Sequence, residues 1–319
     1  MTIAWVLGSG GLLGAALCRA LRQKRTELFF PVQPLCWNDG PTLVSQISAN
    51  VNAFSSRFGR ADRWEIYWAA GIGNMSSSEG ALAHETRYLS LVLRLVQSDP
   101  RLAAASGTIV FSSSAGAINA GSSVELITEN TPPAPTTAYA HEKLRQEDLL
   151  RSFAIANDRV SILIARISTL YGPGQAIGKQ QGLLAHMARS ILRNQPIQIY
   201  VPYDTIRDYI AADDAAAAMV TVSGAISAKP RVLTKIVASE NPTTIAEIIS
   251  IFKRITRRAP RIVTSSSRLS ALYARRVQFR SVALPEGGKV QNRSLLVGIT
   301  QLMMAERAAF VSGREARIV

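Results

Sequence analysis

Seven residues near the start constrain the fold most. Gly8-Ser9-Gly10-Gly11-Leu12-Leu13-Gly14 joins an apolar run, Ile3–Leu7, to a segment of helical periodicity, Leu12–Arg22. A strand that turns through spaced glycines straight into a helix is a βα corner. One glycine lets the strand turn sharply. The next lets a phosphate approach the backbone with no Cβ in the way, and the third lets helix and strand pack closely. The positive end of the helix then faces the phosphate. A glycine triplet also makes an ordinary tight turn. Its place between a strand and a helix, so near the start, favours a nucleotide site formed by Gly8, Ser9, Gly10, Gly11, Leu12, Leu13 and Gly14.

The pattern continues beyond that corner. Leu28–Val32 reads as a strand, Thr42–Phe58 as a helix, Glu65–Ala70 as an apolar run stopped by glycine and Ala81–Gln97 as a helix. Thr108–Ser112 reads as a strand ending in serines, His141–Ala156 as a helix and Val160–Ala165 as a strand. Strands alternating with helices predict an α/β fold with a parallel sheet. The strands are apolar throughout, as expected when helices cover both faces. The segment between the second strand and Ala69 is too short to place a further strand. After Tyr171 the pattern changes. Gly172-Pro173-Gly174 breaks the chain, and helices are predicted over Gly182–Arg193, Thr243–Arg257 and Ser294–Phe310, with an acidic-then-alanine helix start at Asp213-Asp214-Ala215. A chain of 319 residues, 47% hydrophobic and 18% charged, has the length for one or two domains and is too apolar for a disordered or coiled-coil class. The expected division is a sheet domain over 1–170 plus about 205–240, and a smaller domain over 171–204 and 241–319.

A second set of residues carries chemistry. Val110-Phe111-Ser112-Ser113-Ser114 ends a strand, and Tyr139 and Lys143 fall on one face of the next helix. An ammonium beside a phenol favours the phenolate, which makes a tyrosine a usable acid or base near neutral pH. A serine hydroxyl at a strand end orients a substrate oxygen. Ser114, Tyr139 and Lys143 are therefore the candidate catalytic residues.

Together these stretches resemble the extended short-chain dehydrogenase/reductase family, and within it the NAD-dependent epimerase/dehydratase (nucleotide-sugar epimerase) branch. The resemblance rests on Gly8–Gly14, Ala69-Ala70-Gly71, Phe111–Ala115, Tyr139–Lys143, Leu170-Tyr171-Gly172-Pro173-Gly174 and Arg207-Asp208-Tyr209-Ile210, in that order. The last part of the chain matches loosely, around Leu295–Ile299. The resemblance implies a Rossmann-like doubly wound parallel sheet with a smaller C-terminal α/β substrate domain. It implies NAD or NADP as cofactor, and an epimerase or reductase acting on a hydroxyl or keto carbon of a nucleotide sugar. In that reading Gly8, Gly11 and Gly14 hold the cofactor pyrophosphate, Ala69, Ala70 and Gly71 line its adenosine and ribose side, and Ser112 and Ser113 lie beside the nicotinamide. Tyr139 is the acid/base, Lys143 bonds the nicotinamide ribose and lowers the tyrosine pKa, and Ser114 touches the substrate. Arg207 grips the diphosphate of the sugar nucleotide, the other reading being an ion pair with Asp208 or Asp213.

Departures from the family pattern carry information too. Thr169 stands where relatives often have a substrate-touching asparagine. Ala115-Gly116 follows Ser114 where dehydratases place an acidic pair, which disfavours dehydration. No acid stands near Val32–Gln33 for the adenosine ribose. Asp39 serves only if the second strand runs longer, and no arginine is there for a 2′-phosphate, so NAD and NADP both stay open.

The net charge is +14, and residues 229–319 hold most of it. Arg254, Arg257, Arg258, Arg261, Arg275 and Arg276 place that excess on the expected substrate side. A basic third suits nucleic acid, a membrane surface or a phosphorylated small molecule. The motifs favour the small molecule. The alternative is a nucleic-acid-binding or cofactor-sensing member of the same fold, against which stand the lack of aromatics interleaved with Lys/Arg and the intact Ser114/Tyr139/Lys143 set. Cys18 and Cys36 suit a reducing compartment, and the three histidines are too scattered for a metal site. The uncharged stretch Ile3–Cys18 has no basic residue before it, so the glycine turn explains it better than a targeting signal. No run reaches the length of a membrane span. The expectation is a cytoplasmic enzyme, with a homodimer admitted. His141 is expected to face solvent, the tryptophans Trp5, Trp37, Trp64 and Trp68 to be core or pocket wall, and Met303-Met304 to be helix core.

Overall fold

A computed structural model describes residues 2–57, 63–71, 73, 77, 79–175, 182–227, 232–264, 276–284 and 292–312. Arg275 lies outside them. The first part of the chain runs β1 (Thr2–Leu7), α1 (Leu12–Gln23), β2 (Glu27–Phe29), α2 (Gly40–Ser55), β3 (Arg63–Trp68), α3 (Glu79–Ser98), α4 (Pro100–Ala104) and β4 (Gly107–Ser114). It continues through α5 (Ala115–Ile118), β5 (Leu126–Ile127), α6 (Ala138–Ala156), β6 (Val160–Ile167), β7 (Thr169–Tyr171), α7 (Leu183–Leu192) and β8 (Ile197–Ile199). The remainder is β9 (Ile206–Ala211), α8 (Ala212–Ile226), β10 (Val232–Val237), β11 (Pro242–Thr244), α9 (Ile245–Thr256), β12 (Ile262–Thr264), β13 (Gln278–Phe279) and α10 (Leu295–Val311).

Six strands form one parallel sheet in the order β10-β6-β4-β3-β1-β2. Alternate residues of each strand feed opposite cores. On one face Trp5, Trp64, Trp68, Phe111, Ile162 and Ile164 pack under α2, α3 and α6, meeting Leu43, Leu89 and Leu150. On the other, Ala4, Val6, Val110, Leu163 and Ala165 pack under α1 and α8, meeting Leu17, Ala216 and Met219. Helices on both faces make the sheet doubly wound, as the apolar strands predict. Three of the tryptophans are buried in the first core, and Trp37 packs edge-on against Trp68 at 6.4 Å between ring centroids.

The chain then adds a smaller layer. β11-β9-β7 form a three-stranded sheet and β12 pairs with β8. Their apolar residues join α7, α9 and α10 in a separate core that holds Tyr171, Met187, Tyr209, Phe252, Ile299 and Met303. α8 and β10 return the chain to the main sheet between these pieces. The acidic start at Asp213-Asp214 is the first turn of α8. Arg19 holds Asp213 and Arg293 holds Asp214, at 2.5 and 2.8 Å.

Some expected details differ. β2 ends at Phe29 and pairs only with Ile3–Trp5, so it stops short of Val32, which is 98% exposed. Met304 is exposed while Met303 is core, because neighbours on a helix point about 100° apart. His141 is exposed, as expected.

Candidate active site

The βα corner is built from backbone that tolerates no side chain at two positions. Gly8 has φ +86°, and a Cβ there would lie 2.7 Å from the backbone of Ala69 and Ala70. A Cβ on Gly14 would lie 2.0 Å from the Gly8 carbonyl oxygen. These two glycines let the corner pack against the segment after β3 and let α1 approach β1. Gly10 and Gly11 are different. A Cβ on Gly10 would meet nothing within 4 Å, and one on Gly11 only the Gly8 oxygen at 3.4 Å. Gly11 is the N-cap of α1, with no side-chain cap and no acid in the first turn. The opening N–H groups of a helix have no partner within it. Open ground in front of free donors at a positive helix end fits the pyrophosphate of a dinucleotide. Ser9, Leu12 and Leu13 complete this corner. Asp39 is elsewhere, as the N-cap residue of α2, where it accepts a hydrogen bond from the Thr42 hydroxyl.

The three serines at the end of β4 take separate environments. Ser112 has a buried hydroxyl oxygen with no hydrogen-bond partner. Ser113 donates to Glu147 at 2.7 Å, within a buried cluster where Arg166 makes bonds of 3.0 and 2.8 Å to the same carboxylate. Ser114 is the last residue of the strand and the N-cap of α5, accepting from the Ala117 N–H at 3.3 Å.

Tyr139 and Lys143 start α6, which Thr137 caps through the Ala140 N–H at 3.2 Å. The Lys143 ammonium lies 5.7 Å from the Tyr139 ring centroid and 4.9 Å from that of Phe111 on β4. It donates to Gln146 at 3.0 Å and lies 3.9 Å from the Glu85 carboxylate of α3. Glu85 also accepts the Gly73 N–H at 2.7 Å, just beyond Ala69-Ala70-Gly71. A Cβ on Gly73 would lie 3.3 Å from the Tyr139 ring, so this segment and α6 form one wall. The electrostatics differ from the spacing argument. Burial and then Glu85 push the Tyr139 phenol above its ordinary value. Burial lowers the Lys143 ammonium, and Glu85, Glu147 and Glu142 oppose that fall. Burial, more than the Glu85 carboxylate beside the ammonium, drives the rise at Tyr139 in a site shielded from water. Glu85 and Gln146 carry no motif that would signal them in the sequence. A buried acid opposite Lys143 becomes visible only once α3 packs on α6.

Thr169 and Arg207 stand on the adjoining small sheet. Ser114 is in register with Ile167 at the end of β6, and β7 starts two residues later at Thr169. Thr169 is in parallel register with Tyr209, and Arg207 lies two residues before it on β9, so all three share a face. Burial raises the Tyr209 phenol to about 12 and the Arg207 cation opposes the rise. Asp208 turns the other way, into hydrogen bonds from Ser168, Ser239 and Asn241. Asp213 bonds Arg19. These two acids are therefore engaged by other partners. No group of three or more His, Cys, Asp or Glu placed to hold a metal occurs among the described residues. None of the described helices is long and apolar enough to cross a membrane.

A doubly wound parallel sheet with a glycine corner at the end of its first strand defines the dinucleotide-binding class of α/β proteins. The chain belongs to the NAD dependent epimerase/dehydratase family, whose model matches residues 4–233. It is 33% identical over 93 residues to dTDP-L-rhamnose 4-epimerase of Burkholderia thailandensis, covering 29% of this chain and 25% of that protein. It is 34% identical over 106 residues to dTDP-4-dehydro-6-deoxyglucose reductase of Escherichia coli, covering 33% of each chain. The match thus spans a third or less of these relatives. The structure resembles that of Thermus thermophilus UDP-glucose 4-epimerase in complex with NAD, with a TM-score of 0.77 and 17% identity over 97% of this chain and 100% of the other. At that identity the likeness is one of fold.

Proposed function

We propose that the chain is an NAD-dependent epimerase or reductase of a nucleotide sugar, in which Tyr139 takes a proton from, or gives one to, the oxygen of the reacting carbon. The observation that carries this reading is the shared wall formed by Tyr139, Lys143 and the segment after β3, beside the glycine corner. Open α/β sheets bind their ligands outside the carboxyl ends of the strands, where this wall stands. NAD, when bound, supplies a hydride acceptor and, in the reverse sense, a donor.

The chain's own residues supply position and the proton. The Gly8–Gly14 corner and the start of α1 hold the pyrophosphate, Ala69, Ala70 and Gly71 flank it, and Ser112 and Ser113 lie on the strand beside the nicotinamide. Ser114 orients the sugar oxygen, Lys143 holds the nicotinamide ribose, and Thr169 and Arg207 face the nucleotide-sugar side. A guanidinium suits diphosphate oxygens because its N–H groups are planar and its charge is permanent. The units over 171–204 and 241–319 form the substrate side of the enzyme. Ala115-Gly116 opens α5 directly behind Ser114 and offers no carboxyl group for water elimination, so dehydration is not part of the reading.

Dinucleotide released from the purified protein is identified first, and turnover is then followed with dTDP- and UDP-hexoses and their 4-keto forms. Tyr139→Phe is expected to lower kcat by about 100-fold or more, with NAD affinity retained, since a positioned acid or base contributes on that scale. Undiminished turnover in the variant overturns the assignment.

A further inference from the structure

Glu85 belongs to none of the motifs, yet its carboxylate stands where three elements meet. It rises from α3, accepts the Gly73 N–H of the segment after β3 at 2.7 Å, and lies 3.9 Å from the Lys143 ammonium of α6. A Cβ on Gly71 would lie 3.1 Å from one of its oxygens, so the chain passes directly over the carboxylate. The side chains of Lys143 and Glu85 are only 6% and 10% exposed, so the pair is shielded from water.

We propose that Glu85 is a further positioning residue of this site, which fixes the Lys143 ammonium together with Gln146 and keeps it charged beside Tyr139. The proposal rests on the reading above, in which Lys143 serves the reaction. Other charged groups face α6 and are engaged elsewhere. Glu142, on α6 itself, accepts from the Thr86 hydroxyl and from Arg145 at 3.1 Å. Glu147, one turn further on, is taken up by Ser113, by Arg166 of β6 and by Arg151 at 3.2 Å. Thr86 of α3 reaches the same network, accepting from Gln146 at 2.9 Å. Among the described residues the Glu85 carboxylate faces the ammonium most directly, and its removal leaves a buried cation whose nearest neighbours are the Gln146 amide and the rings of Tyr139 and Phe111.

The direction of the consequence follows. Burial draws Lys143 towards the neutral amine, and Glu85 is the foremost group opposing it. Burial first, and then the same carboxylate, disfavour the Tyr139 phenolate. Replacing Glu85 by glutamine keeps an oxygen for the Gly73 N–H and removes only the charge.

The test labels the lysine ε-carbons with 13C in the full-length protein and follows them by NMR against pH, with Lys143→Arg used to identify the Lys143 signal. In Glu85→Gln, Lys143 is expected to lose its proton at least about one pH unit lower than in the wild type, a tenfold change in the proton equilibrium. Glu85→Asp is expected to fall between the two. An identical Lys143 titration in wild type and Glu85→Gln overturns the proposal. Should the glutamine variant not fold, the aspartate variant decides by the same signal, an intermediate shift supporting the proposal and an unshifted one overturning it. The titration needs no turnover, so a Tyr139→Phe variant with full activity would defeat the proposed reaction while the role of Glu85 is still decided by the lysine signal.

Discussion

At Gly14 one methyl group decides whether the βα corner can close. The atoms it would strike are the Gly8 carbonyl oxygen at 2.0 Å, the Gly8 carbonyl carbon at 2.7 Å and the Ser9 Cα at 2.9 Å, all of them backbone. No flexible side chain is there to give way, and forcing atoms into a packed interior costs about 1–3 kcal/mol or more. At Gly10 the added methyl meets nothing. Gly14→Ala is therefore expected to lower the thermal midpoint and abolish NAD retention. Gly10→Ala is expected to keep the wild-type midpoint and weaken NAD binding alone, because its Cβ enters the ground open to the phosphates. Calorimetric unfolding and an NAD titration of both variants separate the cases, and equal stability of the two would contradict the packing argument. Both glycines belong to a motif that the sequence displays openly, as do Tyr139 and Lys143, because each set sits within one turn of chain. Glu85 has no such signal. It reaches Lys143 only through the packing of α3 on α6, and no local spacing encodes that.

Element by element, α6 shows why its type was legible and its interior was not. The alternation of strands and helices gave its place, and the spacing of Tyr139 and Lys143 put both on one face of it. Its buried polar face, however, comes from partners on other elements. Glu147 is fully buried and bonds Ser113 of β4, Arg166 of β6 and the neighbouring Arg151. A carboxylate removed from such a cluster leaves Arg166 as an uncompensated buried cation, which costs about 3–5 kcal/mol. Glu147→Leu is expected to destabilise the fold by that amount in urea unfolding. Adding Arg166→Met to it should recover much of the loss, because an apolar pair of similar volume needs no counter-charge. A double variant as unstable as the single one would show that the cluster does not act through its charge. The short β2 has a different cause. Leu28–Val32 is apolar enough to be a strand, but only Glu27–Phe29 finds a neighbour, in Ile3–Trp5 of β1, and sheet edges are set by pairing, which hydropathy does not report. Asp39 falls beyond that early ending, as the N-cap of α2.

At the scale of the whole molecule, Arg207 and the arginines around the end of α9 occupy different elements. Arg207 lies on β9, facing the same side as Thr169, and Thr243 of β11 is in register with it. α9 begins two residues later, at Ile245; Arg254 falls in its last turn, about 13 Å along the axis, and Arg257, Arg258 and Arg261 follow its end. Those four arginines are exposed, at the far end of the helix and in the turn to β12, where Ile262–Thr264 pairs with β8. Cations at a helix C-terminus complement its dipole, so part of this charge is accounted for by α9 itself. Of the six arginines expected on the substrate side, Arg276 is bridged to Ile206, next to Arg207, while these four lie at the C-terminal end of α9. Charge separated by more than about 8–10 Å of salt water has little hold on a ligand. Replacing Arg254, Arg257, Arg258 and Arg261 together by glutamine is thus expected to leave KM for a nucleotide sugar within about twofold of wild type at physiological salt. Arg207→Gln alone, which removes a charge-assisted hydrogen bond worth about 1.5–3 kcal/mol, is expected to raise KM by roughly 10- to 150-fold while NAD affinity stays the same. Steady-state kinetics at low and physiological salt distinguish the two sets. A fall in affinity that follows the four distal arginines, and not Arg207, would place the diphosphate at the end of α9 and remove Arg207 from the substrate site.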